Sequence, residues 1–151
     1  MGDAMTDTEK RRWLRRYRQA LRVEDRLRDR IRAVRSRTES TTQALQPVAG
    51  GGSRNGSKQE KGTEILEAYQ AELVAQLEKS QRIRQEIEAA INRLKDPMQR
   101  EVLQYLYIDG LPVWKTANRM YISDRWVKSQ HKKALAHLEI VPLSSPLYGV
   151  L

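Results

Sequence analysis

Eight side chains near the C-terminal end carry the chemistry this sequence offers: Lys115, Arg119, Asp124, Arg125, Lys128, Ser129, Lys132 and Lys133. Between positions 111 and 138 there are six Lys or Arg against one acid, Asp124, a local balance of +5. Such cations are poor nucleophiles and poor proton shuttles at their ordinary pKa values, but they donate hydrogen bonds to phosphate oxygens and to the acceptor edges of bases. Their presence points to binding of a polyanion rather than to catalysis. A solvated basic face on an ordinary helical bundle has the same composition, so the elements that would hold these side chains have to decide.

Three short helices are written around them. Asp96-Pro97 is a strong helix start, because the aspartate can accept orphan backbone N–H groups and proline supplies a pre-set φ at no cost in donors. Val102, Leu103, Leu106 and Tyr107 recur at helical spacing, and Asp109-Gly110 stops the helix after about three turns. A second helix is expected from 112 to 120, with Val113, Ala117 and Met120 inward and Lys115 and Arg119 outward. After a turn at Tyr121-Ile122, Ser123 caps a third helix. Its buried face is Val127, His131, Ala134, Leu135 and Leu138, and its outer face carries Asp124, Arg125, Lys128, Ser129, Lys132 and Lys133. Three helices in this order read as a helix-turn-helix, whose last helix enters the major groove of duplex DNA while flanking cations hold phosphates.

The segment resembles region 4 of the sigma-70 family, and especially the small phage-encoded late-gene regulators of the RinA and ArpU type. The matching pieces are VLQYLYIDGLP, the Ala117 and Met120 pair, the Ile122-Ser123 helix start, Val127, and the closing KKALAHL. The resemblance implies that Arg125, Lys128 and Ser129 face the major groove, with Asp124 beside them and Lys132 nearer the backbone. It covers about a quarter to a third of the chain. Two positions depart from the pattern. Tyr121 stands where the family usually has glycine, which demands either a positive φ or a different turn. Thr116 replaces a larger aliphatic residue, which loosens the expected packing.

Upstream, Thr6-Asp7-Thr8-Glu9 has capping-box spacing and opens a helix expected from 7 to 45. Its stripe is Leu14, Tyr17, Leu21, Leu27, Ile31, Val34, Thr38, Thr41 and Leu45, interrupted at Glu24. Through Leu45 there are 13 Lys or Arg and 7 Asp or Glu. That balance suits either a second surface for the DNA backbone or a solvated face laced with pairs such as Glu24 with Arg28. Lys10 to Arg18, with Trp13 and Tyr17 interleaved, is the strongest part of the first reading. The run from 47 to 62, rich in glycine and serine after Pro47, reads as a flexible linker, and it lacks the Gly-Lys-Ser/Thr ending of a phosphate loop. From 63 to 94 Leu66, Tyr69, Leu73, Gln76, Ser80, Ile83, Ile87, Ala90 and Leu94 step by threes and fours, with Leu77 and Ile91 widening the stripe. Such a stripe requires a partner helix. An antiparallel return onto the first helix is the nearest solution, and self-association through the same stripe is the rival.

The expected architecture is therefore all-α: a long basic helix (1–46), a linker (47–62), a heptad helix pairing with the first (63–95) in a coiled-coil-like hairpin, a helix-turn-helix (96–138) and a Pro-containing tail (139–151). Among 151 residues there are nine aromatics (Trp 3, Tyr 6), no Phe and no Cys, so the cores are small and aliphatic and thiolate chemistry is excluded. His131 and His137 are six apart on one helix, the wrong spacing for a shared metal, and no nucleophile motif or carboxylate pair accompanies them. Trp114 and Trp126 are expected to pack between helices. No cofactor, metal or enzymatic activity is expected. The net charge of +9 points to nucleic acid as partner. No apolar run reaches the roughly 20 residues of a membrane span, which implies a cytoplasmic protein, at the nucleoid of a bacterial host by the resemblance. Three functions are compatible: a phage transcriptional regulator that also meets host RNA polymerase, a small terminase-like packaging subunit that oligomerises on DNA, and a coiled-coil adaptor that binds no DNA.

Overall fold

The computed structural model describes residues 4–44 and 53–141, with side chains placed for 4–39 and 60–141. Regular structure among them is helical throughout: α1 (Asp7–Leu14), α2 (Arg16–Ala44), α3 (Ser53–Asn92), α4 (Pro97–Leu103) continued by a π-helical turn (Gln104–Ile108), α5 (Val113–Met120) and α6 (Asp124–His137). Residues 45–52 of the expected helix end and linker, and the apolar tail from Pro142, lie outside the described residues.

The first helix is expected to be continuous and runs as one long helix, its regular run broken at the single residue Arg15, which itself stays in the right-handed helical region at φ −70° and ψ −11°. Thr6 caps it, its Oγ1 accepting from the Glu9 N–H at 3.2 Å. At the break, the Arg16 Nε donates to the Trp13 carbonyl at 3.0 Å and its guanidinium lies 4.7 Å from the centre of the Trp13 ring. A side chain thus takes a carbonyl that the backbone ladder would otherwise use, while the Arg15 and Gln19 N–H groups keep their bonds four residues back. Helix α3 departs from expectation in the other direction. It begins at Ser53, so 53–62 is helix rather than linker. Composition argued against this; packing argues for it. A Cβ at Gly62 would stand 3.1 Å from Thr38 Oγ1, so glycine here permits a close approach of α2 and α3, and contact of that kind stabilises a helix that propensity alone does not.

The chain forms two compact units. One is Ala20–Lys79; the other joins residues 4–19 to 80–141. In the first, α2 and α3 run antiparallel, with the Gln76 side-chain amide reaching the Ala20 carbonyl at 3.5 Å. Among the described residues of this unit the buried positions of α2 are Ala20, Glu24, Leu27, Ile31 and Val34, so the register passes straight through Glu24. The interruption is one of polarity only, and Arg28 partners the buried carboxylate at 3.5 Å. Opposite them Leu66, Tyr69, Leu73 and Gln76 are half-buried, whereas Ile65, Val74 and Leu77 stay exposed.

In the second unit the buried apolar residues are Leu14 and Tyr17, Ile87, Ala90 and Ile91 of α3, Leu94 just beyond it, and Val102, Leu103, Tyr107, Ile108, Ala117, Val127, Ala134, Leu135 and Leu138. The π-helical turn explains how α4 serves this core. Val102 and Leu103 are five residues from Tyr107 and Ile108, a step that points away on an α-helix and returns to nearly the same side on the wider turn. Its bonds are Asp109 N–H to the Gln104 carbonyl at 3.0 Å and Leu111 N–H to Tyr105 at 2.9 Å. Gly110, at φ 69°, then closes the helix as expected, and a Cβ there would collide with the Arg18 guanidinium.

Thr116 is fully buried, and its hydroxyl has no hydrogen-bond partner. A buried hydroxyl left unsatisfied costs about 1–3 kcal/mol. Thr116→Val keeps the shape and removes the liability, so its urea midpoint is expected to rise, by about 1 kcal/mol in unfolding free energy; an unchanged or lower midpoint contradicts this account of the site.

Candidate nucleic-acid interface

The angle between α5 and α6 is fixed by one small cluster. Val102, Ala117 and Val127 are buried together, ringed by Leu106, Val113, Met120 and Ile122. Both ends of the turn are hydrogen-bonded. Ile122 N–H reaches back to the Ala117 carbonyl at 3.0 Å, and Ser123 Oγ accepts from the Trp126 N–H at 3.1 Å, capping α6 where the sequence predicted. Tyr121 resolves the alternative posed by the missing glycine by adopting the left-handed conformation, φ 58° and ψ 41°. Its side chain is 94% exposed, so no burial offsets that backbone cost.

On this frame α6 turns Val127, Gln130, Ala134 and Leu135 inward. Gln130 was not anticipated in that face, and His131 is only half-buried. Asp124, Arg125, Lys128, Lys132 and Lys133 are exposed along the rest of α6, and Ser129 is half-buried. Lys115 and Arg119 are exposed on α5. Among the described residues none of these seven charged groups forms an ion pair; Lys133 lies 5.8 Å from the Trp126 ring centre. Guanidinium and ammonium groups with no internal partner keep their full capacity for phosphate and base acceptors.

Other cations are committed to the fold. Lys10 Nζ donates to the Leu135 carbonyl in the last turn of α6 at 2.7 Å, and Arg18 to the Ile108 carbonyl at 3.4 Å. Arg93 reaches the Glu139 carbonyl at 2.8 Å, and Arg100 the carbonyls of Leu94 and Lys95. The carbonyls of Leu135 and Ile108 belong to last helical turns, which leave them without backbone donors; those of Glu139, Leu94 and Lys95 lie in the segments that follow helices. Arg16 pairs with Glu86 at 3.2 Å.

Between α1, α4 and α6, the Tyr107 hydroxyl stands 2.7 Å from His131 Nε2. Burial first, then the nearby Arg11 and Arg15, push the His131 pKa down to about 4 against a smaller opposite pull from Asp7. Burial also raises the Tyr107 pKa. His137 instead lies against Gln99 Oε1 at 3.3 Å. The two tryptophans depart from expectation. Trp114 is 58% exposed, and Trp126 is 45% exposed with its indole N–H on Met98 Sδ at 3.0 Å, so neither is a core residue. Among the described residues no three His, Asp or Glu side chains stand close enough to hold a metal ion, and no helix is long and apolar enough to cross a membrane.

A capped α6 with a bare cationic side, set by α5 across a tight turn, has a counterpart among known families. Residues 96–139 match the family model Sigma-70, region 4. The C-terminal part of this chain is thus a sigma-70 region 4-like helix-turn-helix, a type of domain that binds DNA and regulates, and α4 to α6 fall inside the match. No curated protein and no solved structure matches the chain. The helices ahead of the region 4-like domain lie outside the matched residues.

The structure leaves the seven charged residues of the expected set exposed on α5 and α6 and Ser129 half-buried. The sequence marked Tyr121 as the residue in a turn that asks for glycine, but it carried no signal for the proximity of Arg11 and Arg15 to α6, which joins residues more than a hundred positions apart.

Two outcomes are expected. Tyr121→Gly relieves the left-handed strain and raises unfolding free energy by about 0.5–1 kcal/mol, the strain being partly offset by glycine's extra entropy when unfolded; denaturant titration reads it directly. For His131, the ring is neutral in folded and unfolded chains above its ordinary pKa of 6.5, and stability is then complete. As pH falls from there towards about 4, the unfolded chain binds a proton that the folded chain resists, so stability declines through that window. The decline between about pH 6.5 and 5, above the carboxylate range, is expected to be shallower in His131→Gln; identical slopes for the two proteins contradict the assignment.

Proposed function

We propose that this chain is a sequence-specific transcriptional regulator of a phage or prophage, an activator of late genes whose α6 reads the major groove. The observation that carries the reading is the exposed face of α6 within a region 4-like domain: Arg125, Lys128 and Lys132 are held by a capped helix and no internal carboxylate pairs with them. In this reading Arg125, Lys128 and Ser129 meet base edges with Asp124 beside them. Lys132 and Lys133 lie nearer the phosphates of one strand, and Lys115 and Arg119 hold phosphates from α5. The protein works at the nucleoid in the cytoplasm of the bacterial host, and host RNA polymerase is its second partner. In this reading it acts as an accessory factor.

A second reading is a small terminase-like packaging subunit, which would bind phage DNA as a homo-oligomer. The exposed Val74 and Leu77 on α3 favour self-association to that extent. Selecting bound fragments from the source genome separates the two: enrichment upstream of one operon supports regulation, and enrichment at a packaging start supports the alternative.

On a selected site, Arg125→Ala and Lys128→Ala are each expected to weaken binding by about 1–3 kcal/mol while leaving random DNA less affected. With four to six phosphate contacts, log affinity falls against log salt with a slope of about −4 to −5. A flat profile from low to moderate salt refutes the proposal.

A further inference from the structure

Helix α1 stands more than a hundred residues away from α6 in sequence and beside it in the fold. Lys10 is bonded to the Leu135 carbonyl, and Arg11 and Arg15 both act on His131 and Tyr107. By helical periodicity, Lys128 and Lys132 follow His131 round the same side of α6, three residues before it and one after, and both are exposed. The outer edge of the α1–α6 seam therefore has Arg11 and Arg15 on one bank and Lys128 and Lys132 on the other, with Arg12 exposed on the next face of α1. Among the described residues none of these five cations forms an ion pair, and the Arg11 Nε is buried without a hydrogen-bond partner. Of the charged groups acting on His131, Asp7 alone is acidic.

Gathering like charges from distant parts of a chain opposes folding, and Arg11 and Arg15 add to burial in disfavouring a charged His131 imidazole. Elsewhere in the same unit Lys10, Arg18 and Arg93 are bonded to carbonyls and Arg16 to Glu86. A bare cluster set beside the DNA-facing side of α6 gains its counter-charge only from outside. We infer that α1 is part of the nucleic-acid interface, with Arg12 and Arg15 contacting the phosphate backbone of the duplex alongside the groove that receives α6. This rests on the DNA-binding reading above and extends it from the region 4-like domain to the N-terminal helix. The contacts are to phosphate, so they contribute affinity and salt dependence but no sequence preference.

The test compares two double variants of the full chain that remove equal charge. Arg12→Gln with Arg15→Gln alters exposed positions on and next to α1; Arg26→Gln with Arg35→Gln alters exposed positions in the Ala20–Lys79 unit. Binding to a random-sequence duplex is measured across a salt series, with circular dichroism to verify helix content. The first variant is expected to have a log affinity against log salt slope shallower by about 1 to 2 and weaker binding to every sequence in equal proportion; the second is expected to match the unaltered chain. Unchanged slope in the first variant, or the same loss in both, overturns the role of α1 while leaving α6 as the DNA-reading element. Absence of salt-sensitive duplex binding by the unaltered chain overturns the DNA reading itself, and the role of α1 with it.

Discussion

A helix of 14 residues has only so much circumference, and the fold depends on how α6 divides it. Val127, Ala134 and Leu135, with Leu138 just beyond, go fully into the core, and each was written at the spacing that puts it there. Burying several aliphatic side chains at about 1.5–3 kcal/mol apiece fixes the rotation of α6 about its axis. The exposed face follows as a consequence: once the apolar side is committed, Arg125, Lys128 and Lys132 have nowhere to go but outward. The neighbouring elements serve the same division. The Val102, Ala117 and Val127 cluster sets the tilt of α5, Ser123 sets where α6 begins, and α1 covers the flank that α4 and α5 leave open.

The net charge of +9 conceals two populations of cations. Lys10 and Arg18 end on carbonyls in last helical turns, where they also complement the negative end of the helix dipole, and Arg93 and Arg100 end on carbonyls of the segments between or after helices. Arg16 is held by Glu86 and stacked on Trp13. Arg28, Arg32 and Arg84 pair with acids of their own helices, whereas the cations exposed on α1, α5 and α6 carry the same formal charge with no ion pair among the described residues. A basic composition therefore indicates the class of partner but not the surface that meets it. In this chain the surface is defined by subtraction, after the structural cations have been assigned.

Much of the C-terminal unit was legible because its signals are local. Asp96 does accept from the Met98 and Gln99 N–H groups, Gly110 does take a positive φ, and Ser123 does cap α6; each needs only the few residues around it. The differences arise where a distant group intervenes. The stretch 53–62 is helical against its composition because α2 lies close enough to α3 for Gly62 to matter. Glu24 looked like an interruption and is a buried, partnered carboxylate in register with Leu27 and Ile31.

The sequence by itself determined the helices, most of their ends, and the alternation of apolar and basic positions that gives α6 its two sides. Periodicity and capping act over three or four residues, so a linear reading has everything it needs. Only the tertiary structure decided which cations are spent on carbonyls, that Val102 and Leu103 share a side with Tyr107 and Ile108 through a π-helical turn, and that α1 lies against α6. Those outcomes rest on contacts between segments far apart in the chain, such as Lys10 with Leu135, whose energy depends on a geometry that no local pattern encodes.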